Sequence, residues 1–328
     1  MANKNIFQSF RGQALARTDA VNEAGGTAYR FGAEHALAQY AATGCLNDAY
    51  YTDAQDQLKA ILELTQRVEP EFIARAALYA RRQGFMKDLP ALLVAVLSVR
   101  SPGLMAEVFD RVIDSPKMLR NFVQIVRSGV VGRKSLGSLP KRMVPQWLEQ
   151  RTDEQLFIGS VGNDPSLADV IKMVHPKPDT EQRAALFGHL IGRPIDEQAL
   201  PELVTKYEAY KRSKNRRHLK TPDVPFQMLT AVELQPREWK AIAQQAPWQT
   251  TRMNLNTFLR HGVFEDREMV RLIAARLRDA ELIRKARVFP YQLLAAYRNA
   301  SDQLPVAIRE ALQDALDLSL VNVATAQT

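Results

Sequence analysis

Residues 89–99 read LPALLVAVLSV, an apolar run of helical length with no polar face to give to water. Such a stretch is a buried helix, and it directs the rest of the reading toward a helical interior. Just before it, residues 69–83 set Phe72, Ile73, Ala76, Ala77 and Ala80 on one face, with Arg75, Arg81 and Arg82 largely off that face. Apolar residues recur at helical spacing over 104–113, 118–127, 142–150, 181–191 and 196–211. They do so again over 236–245, 252–261, 266–278, 281–286, 289–298 and 304–319. The breaks carry Pro, Gly, Ser or Asp, as in SPGL (101–104), DSPK (114–117), NDPS (163–166) and HPKPD (175–179). No stretch alternates cleanly with period two. The reading is an all-α fold.

Many short amphipathic helices joined by tight breaks fit a HEAT-type helical-repeat solenoid better than a four-helix bundle, because stacked helix pairs bury one continuous core. No repeat consensus is visible, so this reading rests on the number and length of the helices. The expected organisation is a single helical-repeat domain over 21–320, a flexible segment at 1–20 and a disordered tail at 321–328. The polar stretch KRSKNRRHLKTP (211–222) is expected to be an exposed basic loop.

The composition, 46% hydrophobic over 328 residues, supports a large core, and 24% charged residues with 15 Gly and 17 Pro exclude a low-complexity chain. The lone cysteine, Cys45, excludes an internal disulfide and a cysteine-cluster metal site, and fits a reducing compartment. No apolar run approaches the roughly 18 residues that span a bilayer. The opening MANKNIFQSFRGQALARTDA lacks the apolar centre of a secretory signal. A cytoplasmic protein with no membrane partner is expected.

The net charge of +8 is concentrated. Residues 111–142 hold eight cations (Arg111, Lys117, Arg120, Arg127, Arg133, Lys134, Lys141, Arg142) against one acid, Asp114. Residues 206–220 hold seven (Lys206, Lys211, Arg212, Lys214, Arg216, Arg217, Lys220) against Glu208. Clustered cations suit a phosphate backbone, since each neutralised phosphate releases condensed counterions. The plainer reading is a set of solvated helix faces and a flexible loop.

Catalytic and cofactor signatures are missing. His35, His175, His189, His218 and His261 show no metal-ligand spacing, and there is no H-E-x-x-H, no phosphate-binding G-x-x-x-x-G-K-[ST] and no G-x-S-x-G. Cys45 needs a neighbouring histidine to act as a nucleophile and reads better as an inert thiol. The chain is expected to have no cofactor, no metal and no catalytic residue. A protein-interaction scaffold is the alternative to an RNA-binding one, because solenoids offer concave surfaces to peptides as well.

Several longer stretches occur together and in order: NEAGGTAYRF (22–31), TGCLNDAYYTD (43–53), ARAALYARRQGFMKDLPALLVAVLS (74–98), VRSGVVGRKSLGSLPKR (126–142), SLADVIKMVHPKP (166–178) and APWQTTRMNLNTFLRHGVF (246–264). This set resembles the TROVE module of the Ro ring-protein family. The resemblance implies HEAT-like repeats closing into a ring or horseshoe. It implies an outer surface for a structured noncoding Y RNA and a central hole for single-stranded 3′ ends of misfolded RNAs. It also suggests an exoribonuclease partner, or a separate protein carrying a von Willebrand factor A domain.

Carried onto this sequence, the GRK…KR element falls on Arg133, Lys134, Lys141 and Arg142, and the S-x-x-D…HPKP element on Ser166, Asp169, Lys172, His175 and Lys177. Apart from Asp169, these residues together with Lys117, Arg120 and Arg127 form the expected outer RNA-binding face, where Arg133 and Arg142 could fork onto phosphate oxygens. Ser166 reads equally as a helix N-cap or as part of an N-terminus facing phosphate. His175 could donate to RNA or close a helix end. Arg252, Asn254, Asn256, Arg260 and His261 are the expected lining of the central hole, the alternative being structural amides buried between repeats.

Two departures stand out. Animal members carry a histidine in the S-x-x-D segment that contributes to Y RNA binding, and Leu167 occupies that place here. The sequence through Thr328 also lacks the D-x-S-x-S metal motif of the A domain that usually follows in the family. The nearest string, Asp317-Leu318-Ser319-Leu320, reads as the last turn of a helix.

Overall fold

A computed structural model of the chain describes residues 20–22, 25–44, 46, 53–230 and 232–322. Cys45, nearly all of the 1–20 segment and the end of the 321–328 tail lie outside these residues. The described residues hold nineteen α-helices in two compact units, residues 1–196 and 197–328.

The first unit opens with a two-stranded antiparallel hairpin, β1 (Ala20–Val21) against β2 (Thr27–Ala28), paired Ala20 to Ala28. Its helices are α1 (Ala33–Thr43), α2 (Ala54–Arg67), α3 (Pro70–Arg82), α4 (Asp88–Arg100) and α5 (Pro102–Val112). They continue with α6 (Pro116–Arg127), α7 (Ser138–Glu149), α8 (Asp153–Ile158), α9 (Leu167–Val174) and α10 (Glu181–Ile191). The run read as buried is α4, in which every residue from Leu89 to Ser98 is buried and which packs on α3, α5 and α6. Truncating a leucine in such a position to alanine typically costs about 2–5 kcal/mol. Proline opens α3, α5 and α6 at the first helical position, where its missing N–H removes no helical bond. Arg100 fastens α4 to the end of α2 through the carbonyls of Thr65 and Val68. Trp147 of α7 donates to the Ile113 carbonyl at the end of α5.

The second unit contains a 3-10 turn (Glu197–Ala199), α11 (Glu202–Arg212), α12 (Phe226–Leu229), α13 (Pro236–Gln245), α14 (Trp248–Met253) and α15 (Leu255–Arg260). A second 3-10 turn (Val263–Glu265) leads to α16 (Arg267–Leu277), α17 (Ala280–Ala286), α18 (Pro290–Asn299) and α19 (Val306–Leu318). The hub is α16, against which α13, α14 and α19 pack. Arg276 of α16 donates to the carbonyls of Ala243 and Gln244 and to the Thr251 hydroxyl, closing the ends of α13 and α14.

Two expected helices are broken. The stretch 196–211 splits at Pro201 into a 3-10 turn and α11, and 252–261 divides at Asn254, whose φ of −118° and ψ of 17° leave the helical region. Asp317 and Leu318 do end α19. Beyond the end of α11 at Arg212, the basic stretch through Lys220 is largely exposed, and it is fastened at points: Arg216 bonds Glu238, and Thr221 and Pro222 are buried.

Candidate nucleic-acid interface

The interface is built around the start of α9. Ser166 is its N-cap: the hydroxyl accepts from Asp169 N–H at 3.1 Å, while the Asp169 carboxylate accepts from Ser166 N–H at 2.9 Å and from the hydroxyl at 2.7 Å. The Ser166 hydroxyl and then its N–H hold the Asp169 carboxyl below the usual carboxylate range, with Lys172 and Arg127 adding to the pull. These two cations, from different helices, meet in one cleft of about 660 Å³ lined by Gln124, Arg127, Ser128, Asp164, Asp169 and Lys172. Lys172 also borders a second cleft of about 370 Å³, shared with His175 and Arg193. His175 closes α9 in the left-handed conformation, φ 48°, so it does end the helix while its ring stays exposed.

Lys117, Arg127, Lys134, Lys141, Arg142, Lys172 and Lys177 are all exposed and make no ion pair among the described residues. The only acid of the 111–142 window, Asp114, is taken at 2.7 Å by Arg81 of α3, so it neutralises none of them.

Arg120 is not on the expected outer face. It is 8% exposed, donates to the Val161 carbonyl at 2.7 Å and packs against Gly162, where a side chain would collide with the guanidinium. Burial lowers its pKa. Its contribution is to hold the 161–165 turn that forms one wall of the first cleft. Arg133 is likewise turned inward, toward the carbonyls of Ser98 and Leu136 at 3.3 Å. Leu167 is wholly buried and presents nothing to a ligand. Arg193 escapes a reading of the sequence because it stands apart from the basic windows; it follows the left-handed turn at Gly192 after α10 and lines the cleft that Lys172 also borders.

In the second unit the residues expected to line a hole are mostly tied to protein. Asn254 donates to Thr250 O, and Asn256 joins Asn299 O to Ser301 N–H. His261 stacks on Trp239 at 4.1 Å and 9°. Both amides hold backbone groups, but Asn256 is exposed and Asn254 half-buried, so neither is the buried amide of the alternative. Arg252 bonds Gln249 and the Gln292 carbonyl, and burial lowers its pKa. Arg260 is exposed without a partner among the described residues.

A family model for the TROVE domain matches residues 164–315, which include the start of α9. The fold matches the crystal structure of the Deinococcus radiodurans Ro (RSR) protein with a TM-score of 0.66 and 20% sequence identity, over 90% of this chain. The chain spans 66% of the length of that protein. No curated protein matches the sequence. Residues 164–315 thus resemble a TROVE domain, and the chain shares the helical fold of that Ro protein.

Proposed function

We propose that this chain is an RNA-binding scaffold without catalytic activity of its own. It docks a structured, Y-like noncoding RNA on a basic outer face and admits single-stranded 3′ ends of misfolded RNA to a central opening, in RNA quality control. The observation that carries this reading is the set of exposed, unpaired cations of the first unit, in which Arg127 and Lys172 share one cleft. Unpaired surface cations keep their full attraction for phosphate, whereas paired ones must first give up a carboxylate. Recognition of an RNA stem rests on phosphates, 2′-hydroxyls and shape, because the A-form major groove is too narrow for side chains. With Leu167 buried, base-specific recognition at that point of the motif has no polar group to use. An exoribonuclease or a separate A-domain protein joining in trans is part of this proposal, resting on resemblance alone.

The test is a gel-shift titration at two salt concentrations, comparing a stem-loop RNA with a single-stranded 3′ tail, the same RNA blunt-ended and a matched DNA. Tight, tail-dependent and RNA-selective binding is expected. Equal, weak and salt-sensitive binding to all three would reduce the charge to a nonspecific footprint and put a protein-interaction scaffold in its place.

A further inference from the structure

The turn between α17 and α18 carries a feature that the basic windows do not include. Residues 281–302 contain four cations, Arg284, Lys285, Arg287 and Arg298, against two acids, Glu281, which pairs with Arg284, and Asp302. Amid this positive stretch stand two exposed aromatic side chains, Phe289 at 41% and Tyr291 at 68% exposure. Their rings lie nearly parallel, 12° apart with centroids 6.2 Å from each other. Single exposed aromatics are ordinary, Tyr79 at 62% among them, but these two stand side by side on one turn. Val288 and Leu293 anchor the turn in the core. The side-chain amide of Asn322 donates to the carbonyls of Ile283 and Val288, and Phe289 N–H bonds the Gln292 side chain. From α14, Arg252 donates to the Gln292 carbonyl at 3.0 Å, which sets a guanidinium beside Tyr291.

We infer that Phe289 and Tyr291 form a stacking platform for unpaired bases of RNA, flanked by the exposed Lys285 and Arg298 for the phosphates. This rests on the RNA-binding reading above and names the residues of the second unit that would take a single strand. A base offers a flat π-face to the rings and an anionic backbone to the cations, and it does so without sequence preference. A duplex keeps its bases stacked on each other and gains nothing from the rings. A protein segment satisfying the same surface would need apolar and acidic groups together, while a single strand carries both the stacking and the negative charge in every nucleotide.

The experiment measures fluorescence anisotropy of the full chain with a labelled ten-nucleotide oligouridine and with a blunt RNA hairpin. Tyr291→Ala is expected to weaken the oligouridine about 5- to 100-fold, the loss typical of one stacked base, and to leave the hairpin within about twofold. Tyr291→Phe keeps the ring and should restore the affinity, and Phe289→Ala should weaken the oligouridine in the same direction. If wild type binds both RNAs and neither alanine variant changes the oligouridine, the platform is wrong and the RNA-binding reading stands. An equal loss on both RNAs also overturns the platform, since the change then acts on charge or folding. Wild type binding neither RNA overturns both readings. Self-association that Tyr291→Ala abolishes, with RNA affinity untouched, would assign the surface to a second copy of the chain.

Discussion

In the first unit the exposed cations of residues 111–142 stand without carboxylates, whereas in the second unit four of the seven cations in 206–220 are ion-paired. Lys206 meets Glu202, Lys211 meets Glu208 at 3.6 Å, Arg212 meets Glu197 at 2.8 Å and Arg216 meets Glu238 at 2.8 Å. Both stretches are strongly basic in the sequence, but the second spends four of its seven charges on carboxylates and leaves Lys214, Arg217 and Lys220 without an ion pair among the described residues. The Arg216–Glu238 pair goes further, because Glu238 is 3% exposed and also accepts from the Tyr210 hydroxyl and Gln235 N–H. Burial alone would raise the Glu238 carboxyl, but the hydrogen bonds from Arg216, Gln235 and Tyr210 overcome it and hold the group below its ordinary range. In the second stretch positive charge is largely paired; in the first it is divided between the inward-turned Arg120 and Arg133 and exposed cations open to a partner.

That division breaks most clearly on Glu238. Replacing Glu238 with alanine leaves Arg216, largely buried, without its partner, and removing one member of such a pair typically costs about 3–5 kcal/mol. Denaturant unfolding should show this loss, and RNA affinity measured under folding conditions should not move. The next effect is alkaline. Burial, helped by the hydrogen bond to Glu238, pushes the Tyr210 phenol up from 10.0 to about 12. A raised pKa means that stability is full below pH 10 and is lost as the pH climbs from 10 through about 12, because the unfolded chain ionises first. The loss should be on the order of 2 kcal/mol, and Tyr210→Phe should remove this part of the pH profile in thermal melts.

The third test turns to the first unit. Arg127→Glu with Lys172→Glu should weaken binding of a tailed stem-loop RNA by about tenfold or more. The slope of log affinity against log salt should flatten by about 0.7–0.9 for each phosphate that is no longer neutralised. Unfolding free energy should change by only about 0.5 kcal/mol, since both side chains are exposed and act on the fold only through their pull on the Asp169 carboxyl. The matched control is Lys206→Glu with Lys211→Glu, two paired cations; an equal fall in RNA affinity there would erase the distinction between the stretches.

What the sequence makes legible follows the same line. The α4 run is readable because every side of it is apolar, and α6 because Met118, Leu119, Phe122, Val123 and Val126 recur at helical spacing. The helix α2 is not, because its buried positions Gln57, Ile61 and Thr65 include two polar residues that blur the apolar period. At six residues α8 is too short to show a period at all. For the interface, the amount and sign of charge are visible along the chain, but pairing depends on carboxylates distant in sequence. Arg120 and Arg127 lie one heptad apart on α6, and only the packing of the 161–165 turn makes the first a buried fastener and leaves the second free.

The smallest expected effect sharpens the point where the two uses of polar groups meet, at Ser166. Its hydroxyl already accepts Asp169 N–H and donates to the Asp169 carboxylate, so its bonding capacity is largely used within the chain. As an N-cap alone, Ser166→Ala should cost about 1 kcal/mol of first-unit stability. It should also free the Asp169 carboxyl to rise toward its usual range. A depressed carboxyl contributes stability above its ordinary pKa and loses it as the pH falls through the folded value, so the variant should show a flatter acid limb in its pH–stability curve. RNA affinity at neutral pH should change by less than about twofold, because Arg127 and Lys172 keep their places on their own helices. A drop in affinity of about tenfold, with the acid limb unchanged, would instead make the hydroxyl a phosphate ligand, and α9 would then meet RNA end-on through its N-terminal N–H groups rather than along its side.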